Sequence, residues 1–226
     1  MANELTKRDV KEDLRYLKLL ARDFPTVSSV TAEIINLEAI LHLPKPTEHF
    51  LADLHGENEA FQHVIRNASG NIKRKVKELF GQSLTHDQIK ELCTLIYSPD
   101  QTLKKPHAAG EISPEWYRTR VEYLVHLTRM LTSKYTREKA REAMPANWAF
   151  LLDELLHYQS DEADVHNEQE GNRRRYHHTI VDAMISIGSG DGVINALSRT
   201  IKRLAVDRLH VVGDIFDRGP RADIVM

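Results

Sequence analysis

Two short apolar segments, residues 49–54 and 208–213, run straight into clusters of polar residues, the first pairing an aspartate with a histidine and the second two aspartates with an arginine, and nearly everything between them carries helical periodicity. The first cluster is Asp53, Leu54, His55 and Gly56; the second is Gly213, Asp214, Ile215, Phe216, Asp217, Arg218 and Gly219. Apolar runs of this length suit buried strands, and strand carboxyl ends are where open α/β sheets place their sites. Because 161 residues separate Asp53 from Asp214, the expectation is an α/β chain with few strands, two of them side by side, interrupted by a long, predominantly helical insertion.

The intervening pattern sets the organisation. Apolar positions three and four apart predict helices over residues 7–23 and 27–43, then over 57–80 with a turn at Ser69 and Gly70. Further helices are expected over 86–97, 114–144, 147–158, 173–187 and 193–204. Residues 99–110 and the acidic stretch 160–171 read as exposed polar loops, and Gly188, Gly190 and Gly192 as a helix break. The resulting segments are N-terminal helices (1–46), the start of the site-bearing domain (47–70), the insertion (71–204) and the return to that domain (205–226). No fixed-period repeat points to a solenoid or propeller.

Composition narrows the class. With 226 residues, 41% hydrophobic and 28% charged, the chain can bury a core and lies away from disordered compositions. A formal charge of -2 gives no bulk reason to bind nucleic acid, no segment has the apolar length of a membrane span, and the single cysteine, Cys93, cannot form an intramolecular disulfide. The reading is a cytoplasmic protein without nucleic-acid or membrane partners and with self-association left open.

Asp53 and His55 lie two apart at the expected exit of a strand, where carboxylate and imidazole can converge on one cation. Taken singly, Asp53 could cap a helix and Asp217 with Arg218 could be a surface ion pair. Two such motifs, each after a strand, are hard to explain independently, and Gly-Asp-x-x-Asp-Arg-Gly is a specific pattern. It resembles the calcineurin-like metallophosphoesterases, which open with Asp-x-His, continue with this motif and later supply Asn-His. The phrases AEIINLEAILHL (32–43), TEHFLADLHGE (47–57), EAFQHVIRNASGNIKRK (59–75) and LAVDRLHVVGDIFDRGP (204–220) resemble class III fructose-1,6-bisphosphatases across almost the whole chain.

The resemblance implies a metallophosphoesterase domain and hydrolysis of fructose 1,6-bisphosphate to fructose 6-phosphate and phosphate, as in gluconeogenesis, with two Mn²⁺ in the complete site; Fe or Zn²⁺ would also suit its mixed ligands. It assigns Asp53, His55 and Asp214 as metal ligands, Arg218 as the grip on the substrate phosphate, and Asp217 as the residue orienting the later Asn-His histidine. Other phosphoesterases, such as a protein phosphatase or a dinucleotide polyphosphate hydrolase, share these motifs, and a non-catalytic helical regulatory module is the alternative of a different class. Ala52 stands where the wider superfamily has Gly, and the chain ends seven residues after Gly219, so an N-terminal fragment lacking the remaining ligands, and inactive alone, is expected.

Other features weigh less. Arg173 to Arg175 read as a solvated helix start, and adjacent His177 and His178 as solvent-exposed. Cys93 reads as a small core residue, and Trp116 and Trp148 as packing anchors.

Overall fold

The apolar positions spaced at three and four residues fold as helices along most of the described chain, and among the described residues a single pair of strands joins segments far apart in sequence. The computed structural model describes residues 13–110, 112–157, 168–187 and 189–214. Two units separate, Met1–Leu43 and Pro44–Met226.

In the first unit, α1 (Leu14–Asp23) and α2 (Val27–Leu41) are joined by three residues. Thr26 starts α2 with a capping box: its hydroxyl accepts from the Ser29 amide and the Ser29 hydroxyl oxygen accepts from the Thr26 amide, both at 3.1 Å. Neither helix has a buried residue.

The second unit begins with β1 (Glu48–Leu51), α3 (Asn58–Arg66), a 3-10 turn (Ala68–Gly70), α4 (Asn71–Phe80), α5 (His86–Tyr97) and α6 (Pro99–Ala109). It continues through α7 (Pro114–Thr132), α8 (Arg137–Glu142), α9 (Ala149–His157), α10 (Glu168–Ser186), α11 (Gly190–Ala205) and β2 (Arg208–Val211). β1 and β2 are parallel, with Glu48 opposite Arg208 and Leu51 opposite Val211. The α/β expectation therefore holds in outline only, since the described residues are mostly helical around one two-stranded sheet.

α11 is the centre of the helical body. Val193, Ile194, Leu197, Ile201 and Leu204 recur at helical spacing and are buried against α4, α5, α6, α7 and α10. From the opposing helices, Ile72, Val76, Leu95, Ile96, Leu124 and Leu127 meet them. No single described helix is long and apolar enough to cross a membrane; α10 and α11 reach that composition only when taken together across a bend of 111°.

Several expectations need correction. Residues 99–110 are not a loop: Pro99 occupies the first turn of α6, where its missing N–H costs nothing, and Leu103 reaches the core. The expected helix over 114–144 breaks, because Thr136 caps α8 by accepting from the Lys139 amide and leaves 133–136 as a connection. Gly190 and Gly192 do not precede α11 but lie in its first turn, and Gly188 lies outside the described residues. Gly190 lies against the Tyr117 ring, where a Cβ would overlap the ring carbons, and the Tyr117 hydroxyl donates to Asp191 at 2.5 Å. His177 is buried rather than solvated, and that burial lowers its pKa. Arg173, Arg174, Arg175 and His178 are exposed, Cys93 is in the core, and Trp116 and Trp148 pack partly buried against it. Residues 160–167 of the expected acidic loop lie outside the described residues, and 168–171 already belong to α10.

Candidate metal centre

The base of the two strands is fixed first. Thr47 precedes β1 and Asp207 precedes β2, and each amide reaches the other residue: Thr47 N–H donates to Asp207 Oδ2 (2.7 Å) and Asp207 N–H to the Thr47 carbonyl (2.9 Å). Lys134, in the break between α7 and α8, donates to Asp207 Oδ2 (2.7 Å) and to Thr47 Oγ1 (2.9 Å). The adjacent Tyr135 hydroxyl donates to the Leu204 carbonyl at the end of α11 (3.0 Å). The Lys134 and Asp207 side chains are each only 12% exposed. Burial alone would raise the Asp207 carboxyl, but the donors from Lys134 and the Thr47 amide, with the Lys134 charge, outweigh it and hold it below its ordinary value. Helical body and strands are thus tied at this point.

At the other end of the strands the two motifs meet. The Val212 amide donates to the Leu51 carbonyl (2.9 Å), and the Asp214 carbonyl accepts from both the Leu54 (2.7 Å) and His55 (3.1 Å) amides. Asp214 N–H donates to Asp53 Oδ1 at 3.0 Å. Gly213 allows this approach: a Cβ there would overlap the Asp53 carboxylate. The glycine of the Gly-Asp pair is therefore a space requirement imposed by the other motif.

β1 ends at Leu51, so strand alternation does not align Asp53 with His55 as expected. A turn does, with His55 at φ 49° and Gly56 at φ 69°, both left-handed. Such a conformation costs a non-glycine residue on the order of 1–2 kcal/mol, and strain of this kind gathers at functional sites. The turn leaves His55 Nε2 3.7 Å from Asp53 Oδ2, with both side chains partly open to solvent.

Asp53 thus offers one oxygen to the Asp214 amide and the other toward His55. Carboxylate and imidazole at this separation suit a first-row divalent ion. Asp214 joins the pair through its backbone, and among the described residues no three His, Cys, Asp or Glu side chains are grouped tightly enough to hold a metal. Asp217 and Arg218 lie outside the described residues. Sequence reasoning missed Lys134, Thr47 and Asp207, which place the strands; no motif marks them.

Acidic and imidazole groups presented together at the carboxyl ends of adjacent parallel strands define the class of site, the strand-end ligand site of α/β proteins. A family described as Firmicute fructose-1,6-bisphosphatase matches residues 15–226. Relatives named fructose-1,6-bisphosphatase class 3 include that of Alkaliphilus metalliredigens, 50% identical over 97% of this chain and 32% of its own length. Those of Phocaeicola vulgatus, 49% identical over 99% of this chain and 32% of the relative, and Parabacteroides distasonis, 47% identical over 100% and 33%, are similar. The chain belongs to the Firmicute fructose-1,6-bisphosphatase family. It spans about a third of the length of these curated relatives. No solved structure matches it.

Proposed function

We propose that this chain forms the opening part of a metal-dependent phosphatase that hydrolyses fructose 1,6-bisphosphate to fructose 6-phosphate and phosphate. The observation that carries the reading is the contact between the two motifs: 161 residues apart, Asp214 N–H and the Asp53 carboxylate meet across parallel strand ends. Residues 47–70 and 205–226 belong to one metallophosphoesterase domain, 71–204 form its helical insertion, and 1–46 precede it.

Asp53 and His55 hold one divalent cation, with Asp214 supplying a carboxylate toward a second; two Mn²⁺ fit the family and the N/O donor set. When bound, such a pair of ions supplies Lewis acidity and activates water. The Asp214 amide fixes the Asp53 carboxylate so that its other oxygen faces the imidazole. Arg218 grips phosphoryl oxygens with a planar fork of donors, and Asp217 orients the histidine that protonates the leaving alkoxide. That histidine and the remaining ligands come from the part of the relatives that has no counterpart in these 226 residues, so the chain alone is inactive.

The test is phosphate release from fructose 1,6-bisphosphate with Mn²⁺, using this chain joined to the remaining length of a class 3 relative. Turnover by the joined protein, lost on Asp214→Asn, is expected. Undiminished turnover in that variant sinks the site, and hydrolysis of a generic phosphate ester without action on the sugar sinks the substrate.

A further inference from the structure

Basic side chains gather where α7, α8 and α9 come together. A cavity of about 250 Å³ opens beside the break between α7 and α8. Drug-sized sites begin near ~300 Å³, so this one suits an ion or a small metabolite. Arg129, Ser133, Tyr135, Arg137 and His157 are among its walls, and no Asp or Glu lines it. Ser133 and Tyr135 flank Lys134, so the cavity adjoins the base of the strands and lies away from the strand ends that carry Asp53 and His55.

Both guanidinium groups are already held. Arg129 reaches the end of α9, where Nε donates to the Leu156 carbonyl (3.2 Å) and Nη2 to that of Leu155. Arg137 donates to Asp153 Oδ2 through Nε (3.2 Å) and Nη2 (2.8 Å), which leaves its Nη1 without a partner among the described residues. Groups fixed in advance spare a ligand the entropy of ordering them. The buried Asp153 carboxylate is also oversubscribed: Arg141 Nε lies 3.8 Å from Oδ2 and His157 Nδ1 3.2 Å from Oδ1. Glu154 also acts on Arg137, as the smallest of the influences felt there. One carboxylate therefore serves two guanidinium groups and an imidazole, and positive charge is left over on the cavity side.

We propose that this cavity binds a small oxyanion of the phosphate class, free phosphate or the phosphoryl group of a small metabolite, with Arg129 and Arg137 as its principal donors. Guanidinium forks match the oxygens of a phosphoryl group in geometry as well as charge. The assignment stands apart from the phosphatase reading, since it needs neither a metal nor the strand-end motifs.

Calorimetric titration of the whole chain, kept free of metal with EDTA, decides it, with inorganic phosphate and glycerol phosphate as probes. At about 0.15 M KCl, where exposed charges are largely screened, saturable binding at one site per chain is expected. Arg137→Lys keeps a cation beside Asp153 but removes the fork, and should weaken binding roughly tenfold or more, with far-UV circular dichroism unchanged. His157→Ala should weaken it less, and Arg141→Ala, outside the cavity wall, should bind nearly as well as wild type. Binding of either probe supports the site, and the tighter one identifies the source of the phosphoryl group. No saturable binding, or a loss in Arg141→Ala equal to that in Arg137→Lys, would overturn the proposal. So would binding that appears only after Asp161→Asn, Glu162→Gln and Asp164→Asn, which would assign the cavity to the chain's own acidic stretch.

Discussion

Asp207 sits one residue before β2, at the opposite end of that strand from Asp214, and its carboxylate takes donors from Lys134 and from the Thr47 amide. Asp207→Asn leaves a mostly buried ammonium without a counter-charge, a change that costs about 3 kcal/mol or more; urea unfolding should show the midpoint lowered and the slope kept. The pH dependence follows from the depressed carboxyl. Its contribution is complete above the unfolded-state value and lost as pH falls through the lower folded value, so wild type should lose stability on acidification more steeply than Asp207→Asn. Equal acid sensitivity would remove Asp207 from the account. At the other end, Gly213→Ala should displace the Asp53 carboxylate and weaken Mn²⁺ binding tenfold or more by calorimetry, with the melting temperature little changed because the site lies outside the core. Asp53, His55 and Asp214 were legible as a group because their motifs are short and local. The Lys134–Asp207 pair was not, since 73 residues separate two ordinary charged side chains that only the folded helices bring together.

At the scale of elements, periodicity located nearly every helix, and the errors have physical causes. α6 buries Leu103 while Asp100, Gln101 and Lys104 are exposed, and its sequence lacks the apolar stripe by which helices are recognised. The break after α7 is set by capping, with Thr136 accepting from Lys139, and a capping threonine inside a long apolar pattern is easily read through. That break matters to the site, because it frees Lys134 and Tyr135 to reach the strand base. Gly190 was read as part of a helix break, whereas it lets the start of α11 press against Tyr117. Gly190→Ala should therefore destabilise the body by about 1–3 kcal/mol through overpacking, despite the better helix propensity of alanine. A stabilised variant in thermal unfolding would show that the Tyr117 ring yields at little cost.

For the molecule as a whole, the pairing of two strands followed from both motifs needing one place, and the segment of N-terminal helices read from the sequence ends at residue 46, near the division at Leu43; that α1 and α2 bury no residue was not legible, since they look as amphipathic in sequence as the helices that do form a core. Only their exposure in three dimensions separates them. The sheet has a further consequence. Thr47 and Asp207 are 160 residues apart, and so long a loop is costly to close before the helices between them have shortened it, which makes the strand pair a late event in folding. Synthesis imposes the same order. At about 5–20 residues per second, Asp53 and His55 wait roughly 8–30 seconds on the ribosome before Asp214 is made, so every newly made chain passes through an interval in which the half-formed site is open to whatever ion or chaperone reaches it first.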